Sequence, residues 1–346
     1  MRGEASSFAA RLAAPGMNRR RFLALAAGTL AGTCTGSLAG CARGPRVGVV
    51  PAPMDAAGFH AARRYTRTAF GRIAHVERGS GPAALFLHGF PLNGFQWRSA
   101  LDRLAPYRRC IAPDFLGMGY TEVADRQSCA PDAQVAMLIA LLDALQVERA
   151  DVVANDSGGA VAQLLVAHHP ERVRSLLLTN CDTEEDCPPP ALLPVIALAK
   201  QGRFVDEWLG TWRRDHTLAR SAAGIGGMCY ADSAHPTDEA IETYFSPLLA
   251  SRRSRDFAHA YATALERNAL AGIGPALARS RVPVRIVWGS ADTIFAAANP
   301  GFLDRAFGRS LGVRRLEGSK LFWPEERPDV IAEEARRLWA AQGDRA

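Results

Sequence analysis

Short apolar runs alternate with longer segments of helical periodicity through most of the chain. The runs that predict buried strands lie at 83–87, 109–113, 151–155, 174–180, 284–288 and 314–316. Helical patterns are found at about 96–104, 131–145, 158–168 and 326–339, and two short runs around Gly71, at 65–70 and 72–77, predict an opening hairpin. Strands that alternate with helices in this way form a mostly parallel sheet with helices on both faces, so the pattern predicts an α/β fold.

This alternation stops between about Asp182 and Ser280. Consecutive prolines at 188–190 break regular structure there, and the segments that follow are helical and carry several Trp and Tyr residues. A helical insertion at this point has the form of a cap over an active site. We therefore predict a core over 63–182 and 281–346, with a helical cap over 183–280.

The beginning of the chain predicts an export signal followed by a tether. Residues 17–23 join paired arginines to a mildly apolar stretch and resemble a twin-arginine signal. Residues 38–41, Leu-Ala-Gly-Cys, resemble a lipoprotein cleavage box with Cys41 as the lipidated residue. The prediction is a signal over 1–40, a tether over 41–62, and an extracytoplasmic protein that a lipid anchors to a bacterial membrane. A transmembrane anchor and a soluble tail are the alternatives.

Charge and cysteine content narrow the classes of function. The formal net charge is +6, but without residues 1–40 the chain has 36 basic against 34 acidic residues, and no basic stripe follows. Nucleic-acid binding is therefore not expected. The five cysteines beyond Cys41 form no CxxC pair and no metal-binding spacing, so no metal or organic cofactor is expected. Cys181 and Cys187 could pair after export, although reduced thiols are the default interpretation.

The strongest chemical signal is the run VVANDSGG at 152–159, where a predicted strand passes directly into a helix. Such a sharp turn exposes one side chain and needs small residues two positions before and two positions after it. If Asp156 is the exposed residue, these positions hold Ala154 and Gly158. If Ser157 were exposed instead, the first position would hold an asparagine, which crowds the turn. The register therefore favours Asp156.

Together with motifs on either side, this turn resembles the α/β-hydrolase superfamily, in particular the branch of epoxide hydrolases and haloalkane dehalogenases. The other motifs are HGFP at 88–91 with QWR at 96–98, a glycine loop at 114–121, and WGSAD at 288–292. The resemblance covers 65–339. It implies that an aspartate attacks an electrophilic carbon to form an ester, which a histidine-activated water then hydrolyses.

The resemblance also implies roles for the matching residues. Asp156 would be the nucleophile, and the backbone N–H groups of Phe90 and Ser157 would form the oxyanion hole. His88 and Gly89 belong to the oxyanion loop, where His88 is expected to be structural.

The acid that orients the histidine would be Asp292, with Asp182 as the fallback. The sequence departs from the family pattern at the histidine itself, because Leu321 stands where a Gly-x-x-His-Phe type turn would place it. Loss of a general base typically removes about 10²–10⁴-fold of rate. The groups considered as substitutes are His216, His235 and His259 in the cap, and Glu325 acting through water.

Epoxide hydrolases use cap tyrosines to donate to the epoxide oxygen. Tyr230, Tyr244 and Tyr261 are therefore candidate substrate contacts, with simple packing as the alternative. The predicted function is hydrolysis of a small apolar epoxide or organohalide through an aspartyl ester. Two alternatives stay open: a non-catalytic homologue that binds a ligand or a partner, because of Leu321, and an esterase that uses Ser157 as the nucleophile.

Overall fold

The computed structural model describes residues 54–232 and 234–341. The predicted signal over 1–40, the lipidation residue Cys41 and most of the predicted tether lie outside these residues. Within the described ranges, none of the helices is both long and apolar enough to cross a membrane.

A nine-stranded sheet forms the centre of the molecule. Its strands are β1 (Arg63–Thr68), β2 (Gly71–Arg78), β3 (Ala83–Leu87), β4 (Arg109–Pro113), β5 (Glu122–Val123), β6 (Ala150–Ala154), β7 (Val173–Leu178), β8 (Val284–Gly289) and β9 (Ser310–Leu316). Their order is β1-β2-β4-β3-β6-β7-β8-β9, with β5 paired to β2. The strands from β4 to β9 along this order are parallel, and β2 is antiparallel to each of its neighbours. This confirms the predicted, mostly parallel sheet.

The helices, in chain order, are α1 (Ala56–Ala62), α2 (Arg98–Leu104), α3 (Pro131–Ala144), α4 (Ser157–His168), α5 (Leu193–Lys200), α6 (Gly210–Arg214), α7 (His216–Arg220), α8 (Ile225–Cys229), α9 (Asp238–Leu249), α10 (Arg252–Ala264), α11 (Gly274–Arg279), α12 (Asn299–Ala306), α13 (Trp323–Glu326) and α14 (Pro328–Ala340). Shorter turns lie at Gly94–Trp97, Pro170–Arg172, Pro190–Leu192 and Val205–Leu209.

Helices cover both faces of the sheet because the chain reverses its direction across it. The connection from β3 to β4 through α2 runs one way, and the connections from β4 onward to β9 run the other way. Right-handed crossovers therefore place α2 on one face and α3 and α4 on the opposite one. Since both faces are covered, β3 and β6 are buried at every position, which explains why they read as continuous apolar runs.

The connection between β7 and β8 contains α5 to α11, all within the range predicted as the cap. The shortest strand, β5, was not predicted, because two residues carry no periodic signal. β9 begins at Ser310 rather than at 314, and its half-buried positions explain why the apolar pattern detected only its end.

The last part of the predicted tether is wrong, because residues 56–62 form α1. Asp55 caps this helix by accepting a hydrogen bond of 2.7 Å from the N–H of Gly58. Phe59 is only 2% exposed, and its ring meets the edge of Phe95 at a centroid distance of 5.2 Å. The N–H groups of Met54 and Ala56 also donate to Asp102 and Glu239, so the segment is tied to the rest of the chain. One buried aromatic residue is too small a signal to recognise in an alanine-rich stretch.

Candidate active site

The turn between β6 and α4 presents Asp156 at its apex. Its backbone has φ +54° and ψ −134°, a conformation that a residue with a side chain rarely adopts and that is found where function requires it. A Cβ atom on Gly158 would lie 2.6 Å from the carbonyl oxygens of both Leu87 and His88. Only glycine fits there, so the chain can turn sharply into the helix directly behind Asp156.

Two backbone N–H groups converge on one oxygen of the Asp156 carboxylate. Phe90 donates to Oδ1 at 2.7 Å and Ser157 donates to the same atom at 2.6 Å. The loop after β3 approaches this closely because Gly89 has no side chain: a Cβ atom on it would lie 2.7 Å from the Cβ of Asp156. Among the described residues, Oδ2 has no backbone donor. The backbone thus holds the carboxylate at Oδ1 alone, and the Ser157 hydroxyl also contributes a hydrogen bond to the Asp156 side chain.

Burial raises the pKa of Asp156 to about 6, and the negative charge of Asp292 acts in the same direction. The N–H groups of Ser157 and Phe90 oppose this shift because they stabilise the ionised form. At neutral pH the group is therefore mostly a carboxylate, desolvated and paired only with dipoles.

Asp292 follows β8 and is fixed by an amide that the sequence analysis missed. Its Oδ2 accepts a hydrogen bond of 2.7 Å from Asn180 Nδ2, and its Oδ1 accepts one of 2.8 Å from the N–H of Ile294. Asn180 Oδ1 in turn accepts from the N–H of Gly289 and from the indole N–H of Trp323. The predicted strand over 174–180 included Asn180 as its last residue, whereas β7 ends at Leu178 and leaves Asn180 in the loop behind it. Burial raises the pKa of Asp292.

Asp182 lies four residues after the end of β7 and is also buried, with 6% exposure. Burial raises its pKa to about 8, with a further contribution from the negative charge of Asp156. The thiol of Cys187 hydrogen-bonds to its side chain and lowers the pKa only partly. Cys187 and Cys181 are both free thiols, so the default interpretation of the sequence agrees with the structure.

A cavity of about 130 Å³ opens in front of the Asp156 carboxylate. Asp156, Ser157 and Asp182 are its acidic and hydroxyl-bearing lining residues. The rest of the wall is mainly apolar and comes from the cap and from the loop before α13, including Phe204, Trp208, Trp212, Ile225, Leu265, Leu321 and Phe322. In the described part of the chain, no group of three or more His, Cys, Asp or Glu residues is placed to hold a metal ion.

The family model described as "alpha/beta hydrolase fold" matches residues 82–320 of this chain. The chain belongs to the α/β-hydrolase family. It is 42% identical over 111 residues to a haloalkane dehalogenase of Mesorhizobium japonicum, which covers 30% of this chain and 34% of that protein. It is 40% identical over 105 residues to a 2-hydroxymuconate semialdehyde hydrolase of a Pseudomonas species, covering 30% and 37%. This α/β-hydrolase therefore spans about a third of the length of these curated relatives.

Solved structures share the fold over a longer range. An epoxide hydrolase solved without ligand superposes with a TM-score of 0.68 at 19% identity, covering 81% of this α/β-hydrolase and 99% of that chain. A haloalkane dehalogenase from Bradyrhizobium elkani superposes with a TM-score of 0.66 at 23% identity, covering 81% and 99%.

Leu321, the residue that stands where the family pattern has a histidine, is part of the cavity wall in this α/β-hydrolase. Leu321 is 2% exposed and lines the cavity with Asp156. Its carbonyl oxygen accepts a hydrogen bond of 3.1 Å from Asn155 Nδ2, which ties the loop to the base of the turn. The cavity thus presents a methyl-bearing side chain where the family pattern would present an imidazole.

None of the predicted substitutes for the histidine lines this cavity. His216 pairs with Asp238 at 2.9 Å on the cap, His259 accepts a hydrogen bond from the N–H of Val205, and His235 stacks on the ring of Tyr230. None of these three histidines can therefore act as the base in this cavity, and each makes contacts within the cap instead.

The role considered for Glu325, that of a base acting through water, is also wrong. Both of its carboxylate oxygens bind other side chains away from the cavity. Its Oε2 pairs with Arg98 Nη1 at 2.6 Å, and its Oε1 accepts a hydrogen bond of 2.5 Å from the hydroxyl of Tyr230. Arg98 Nη1 also reaches the hydroxyl of Tyr244 at 3.5 Å. This buried group of Arg98, Glu325, Tyr230 and Tyr244 joins the cap to the core.

The predicted substrate contacts of Tyr230 and Tyr244 are therefore wrong: both hydroxyls face Glu325 and Arg98, and neither residue lines the cavity. Tyr261 lies closer to the site. Its hydroxyl shares a hydrogen bond of 3.1 Å with Ser157 Oγ, and its ring stacks on Phe90. His88 accepts a hydrogen bond from the N–H of Phe115 through Nε2, in keeping with its expected structural role.

Proposed function

We propose that this α/β-hydrolase uses Asp156 as a nucleophile against an electrophilic carbon of a small, largely apolar epoxide or organohalide. One observation carries the proposal: the carboxylate stands at a strained apex with Oδ1 bound by two N–H groups and Oδ2 left for attack. A serine at the same place would need a base to activate it, whereas an ionised carboxylate is already nucleophilic.

The same two N–H groups would serve both halves of the reaction. Attack by Oδ2 forms an ester on Asp156, and Oδ1 becomes its carbonyl oxygen. When water adds to the ester carbon, negative charge develops on Oδ1, where the N–H groups of Phe90 and Ser157 already point. Donors placed in advance at a developing oxyanion are worth about 10²–10³-fold in rate each.

The cavity supports the proposed substrate class. Its volume is about 130 Å³. For comparison, an apolar cavity of about 150 Å³ engineered into another protein binds benzene. Its wall of Trp, Phe, Leu and Ile side chains favours an apolar molecule, and the buried carboxyls are its few polar groups. The names of the relatives, a haloalkane dehalogenase and an epoxide hydrolase, fit substrates of this kind.

The test is the intact mass of the full chain after incubation with small epoxides, alkyl halides and activated esters, in parallel with an Asp156→Asn variant. We expect an adduct that maps to Asp156, or product formation that the variant lacks. An unchanged rate in the Asp156→Asn protein would refute the proposal. Substitution to asparagine keeps the shape and the hydrogen bonds to Phe90 and Ser157, so a loss of reaction reports the lost nucleophile.

A second candidate function is binding without turnover, and Leu321 in the cavity wall is the observation that favours it. In that case the panel gives neither adduct nor product, while an apolar ligand still raises the melting temperature. The serine-esterase alternative has weaker support, because Ser157 lies beyond the apex, its hydroxyl bonds to Tyr261, and no histidine within 54–232 or 234–341 lines the cavity.

We also propose that the protein is exported by a twin-arginine signal and held at a bacterial membrane by a lipid on Cys41. The motifs at 17–23 and 38–41 support this. Radiolabelled palmitate should be incorporated into the native chain and not into the Cys41→Ala variant expressed in the same cells. Replacing Arg19 and Arg20 by lysine should retain the chain in the cytoplasm, and export that continues would contradict the proposal.

A further inference from the structure

Asp182 shares the cavity with Asp156, and no basic side chain of the described residues lies beside it. Both residues contribute to the cavity wall, at the ends of the adjacent strands β6 and β7. The titratable groups that face Asp182 in the described part of the chain are Asp156, Asp186, Cys181, Cys187 and Tyr261. All of them are acids or neutral, so none of these groups brings a positive charge that would stabilise the carboxylate form of Asp182. Burial, followed by the negative charge of Asp156, raises the pKa of Asp182 to about 8, although the hydrogen bond with Cys187 partly opposes this shift.

The cavity also lacks the groups that usually move protons in such a site. No histidine and no tyrosine is part of the wall among the described residues, and Glu325 is bound elsewhere. Ring opening of an epoxide needs a proton donor, and hydrolysis of the ester needs a proton acceptor. Asp182 is the remaining carboxyl that lines the cavity besides the proposed nucleophile.

We propose that Asp182 is both the general acid and the general base of this site: in its neutral form it protonates the epoxide oxygen, and as a carboxylate it then activates the hydrolytic water. The inference rests on the proposed role of Asp156 and identifies epoxides as the substrates that would use both the acid and the base function of Asp182.

The two half-reactions balance without any further group. In the first, Asp156 Oδ2 bonds to an epoxide carbon, the carbon–oxygen bond of the ring breaks, and the proton of Asp182 passes to the oxygen that leaves. The products are a hydroxyalkyl ester on Asp156 and a carboxylate on Asp182. In the second, that carboxylate takes a proton from water as its oxygen adds to the ester carbon. The bond from the ester carbon to the alkyl oxygen then breaks, the second proton of that water passes to the departing oxygen, and the diol leaves. Asp156 is again a carboxylate, and Asp182 is again neutral.

The charge on Asp156 determines when Asp182 holds its proton and when it releases it. While Asp156 is ionised, its negative charge favours the proton on Asp182. Formation of the ester neutralises Asp156 and removes that repulsion, so Asp182 gives up a proton more readily at the stage that needs a base. A single carboxyl can therefore act first as an acid and then as a base at one pH. Such a dual role would take the place of the histidine that Leu321 replaces.

An organohalide separates the two roles, because displacement of a halide ion needs no proton. In an Asp182→Asn variant of the full chain, a reactive alkyl bromide should release about one equivalent of bromide and leave a stable ester on Asp156. The native chain should release bromide over many turnovers. With a small epoxide, the variant should lose about 10²–10⁴-fold in kcat. Glu185→Gln, which removes an exposed charge three residues away, is the matched control and should turn over normally.

Equal turnover of both substrates by the Asp182→Asn and native chains, with dependence on Asp156 intact, would overturn the inference and leave the proposed function standing. Absence of any reaction that depends on Asp156 in the native chain would instead overturn the proposed function. The native chain alone gives a second measurement. Its rate with an epoxide should fall at high pH as Asp182 ionises, whereas the rate of bromide release in the first turnover should not. An identical fall for both substrates would contradict the acid role.

Discussion

Phe90 and Asp156 are joined by a hydrogen bond of 2.7 Å from the N–H of Phe90 to Asp156 Oδ1, although 66 positions separate them in the chain. The bond ties the loop after β3 to the turn after β6, two strands that are neighbours in the sheet. The proposed nucleophile and half of its proposed oxyanion hole thus depend on the pairing of these two strands. Gly89 permits this close approach because it has no side chain.

Gly89→Ala should slow the reaction at Asp156 by about 10²–10³-fold, the usual effect of losing one oxyanion donor. The new Cβ would meet the Cβ of Asp156 at 2.7 Å, so the loop must move away and take the N–H of Phe90 with it. The measurement is the rate of ester formation by mass spectrometry. Gly301→Ala is the control, because its Cβ meets only the flexible end of Arg305 at 3.4 Å, and its rate should not change. Equal rates in both variants would contradict the assignment.

Glu325→Gln should destabilise the fold and not block proton transfer. The side chain is fully buried and pairs with Arg98, so its neutralisation leaves an unpaired, largely buried guanidinium at a cost of about 3–5 kcal/mol in the free energy of unfolding. Urea unfolding measures this cost. Glu333→Gln is the control, since its pair with Arg314 is 40% exposed on the glutamate side and should contribute about 1 kcal/mol or less. A stable Glu325→Gln protein that accumulates the Asp156 ester would instead make Glu325 the base.

The native chain should lose stability as the pH rises from about 4 to about 8. Burial raises the pKa of Asp182 in the fold from its ordinary value of 3.8 to about 8, and that of Asp156 to about 6. Over this interval the folded state holds protons that the unfolded state has released. The free energy of unfolding therefore falls with pH, by at most about 1.4 kcal/mol per pH unit for each group.

Asp182→Asn should flatten this dependence between about pH 6 and pH 8, because the variant has no proton to lose at that position. Urea unfolding at pH 5, 6.5 and 8 gives the comparison. If the variant and the native chain show the same slope, Asp182 is ionised in the fold at neutral pH and the assigned direction of its pKa is wrong.

Leu321→His should restore ester hydrolysis in a chain that also carries Asp182→Asn. Leu321 lines the same cavity as Asp156, so an imidazole there can reach a water next to the ester. Burial lowers the pKa of a histidine, which keeps it neutral and able to accept a proton at pH 7. The measurement is decay of the alkyl bromide adduct, which we expect to accelerate at least about 10-fold. Leu265→His, at a cap position of the same cavity, is the control. Equal decay in both double variants would argue against a specific base position at 321.

Much of the core could be predicted from local sequence. The runs at 83–87, 109–113 and 284–288 form strands within a residue of the predicted bounds, because a parallel strand covered on both faces is apolar at most of its positions. The register at Asp156 could likewise be predicted, since the small residue at Gly158 reports a close backbone contact that nothing larger permits. These features depend on steric rules that act within a few residues.

The surroundings of the site could not be predicted in this way. The sequence offered three cap histidines, Glu325 and three tyrosines as chemical groups, and the structure places none of them in the cavity wall. Their partners lie far along the chain: Arg98 and Glu325 are 227 positions apart, and Asn180 and Asp292 are 112 apart. A polar residue type shows what a side chain can do, while its partner and its exposure depend on how the cap folds over the core.

The sequence by itself determined the fold, the turn that presents Asp156 and the absence of a histidine at Leu321, because each follows from local apolar pattern, local sterics or the identity of one residue. The tertiary structure alone decided that Asp182 shares the cavity with Asp156, while Glu325 and Tyr230 satisfy each other outside it. The physical reason is that burial and pairing set the charge and the reach of a polar group, and both arise only when strands and helices distant in the chain are brought together.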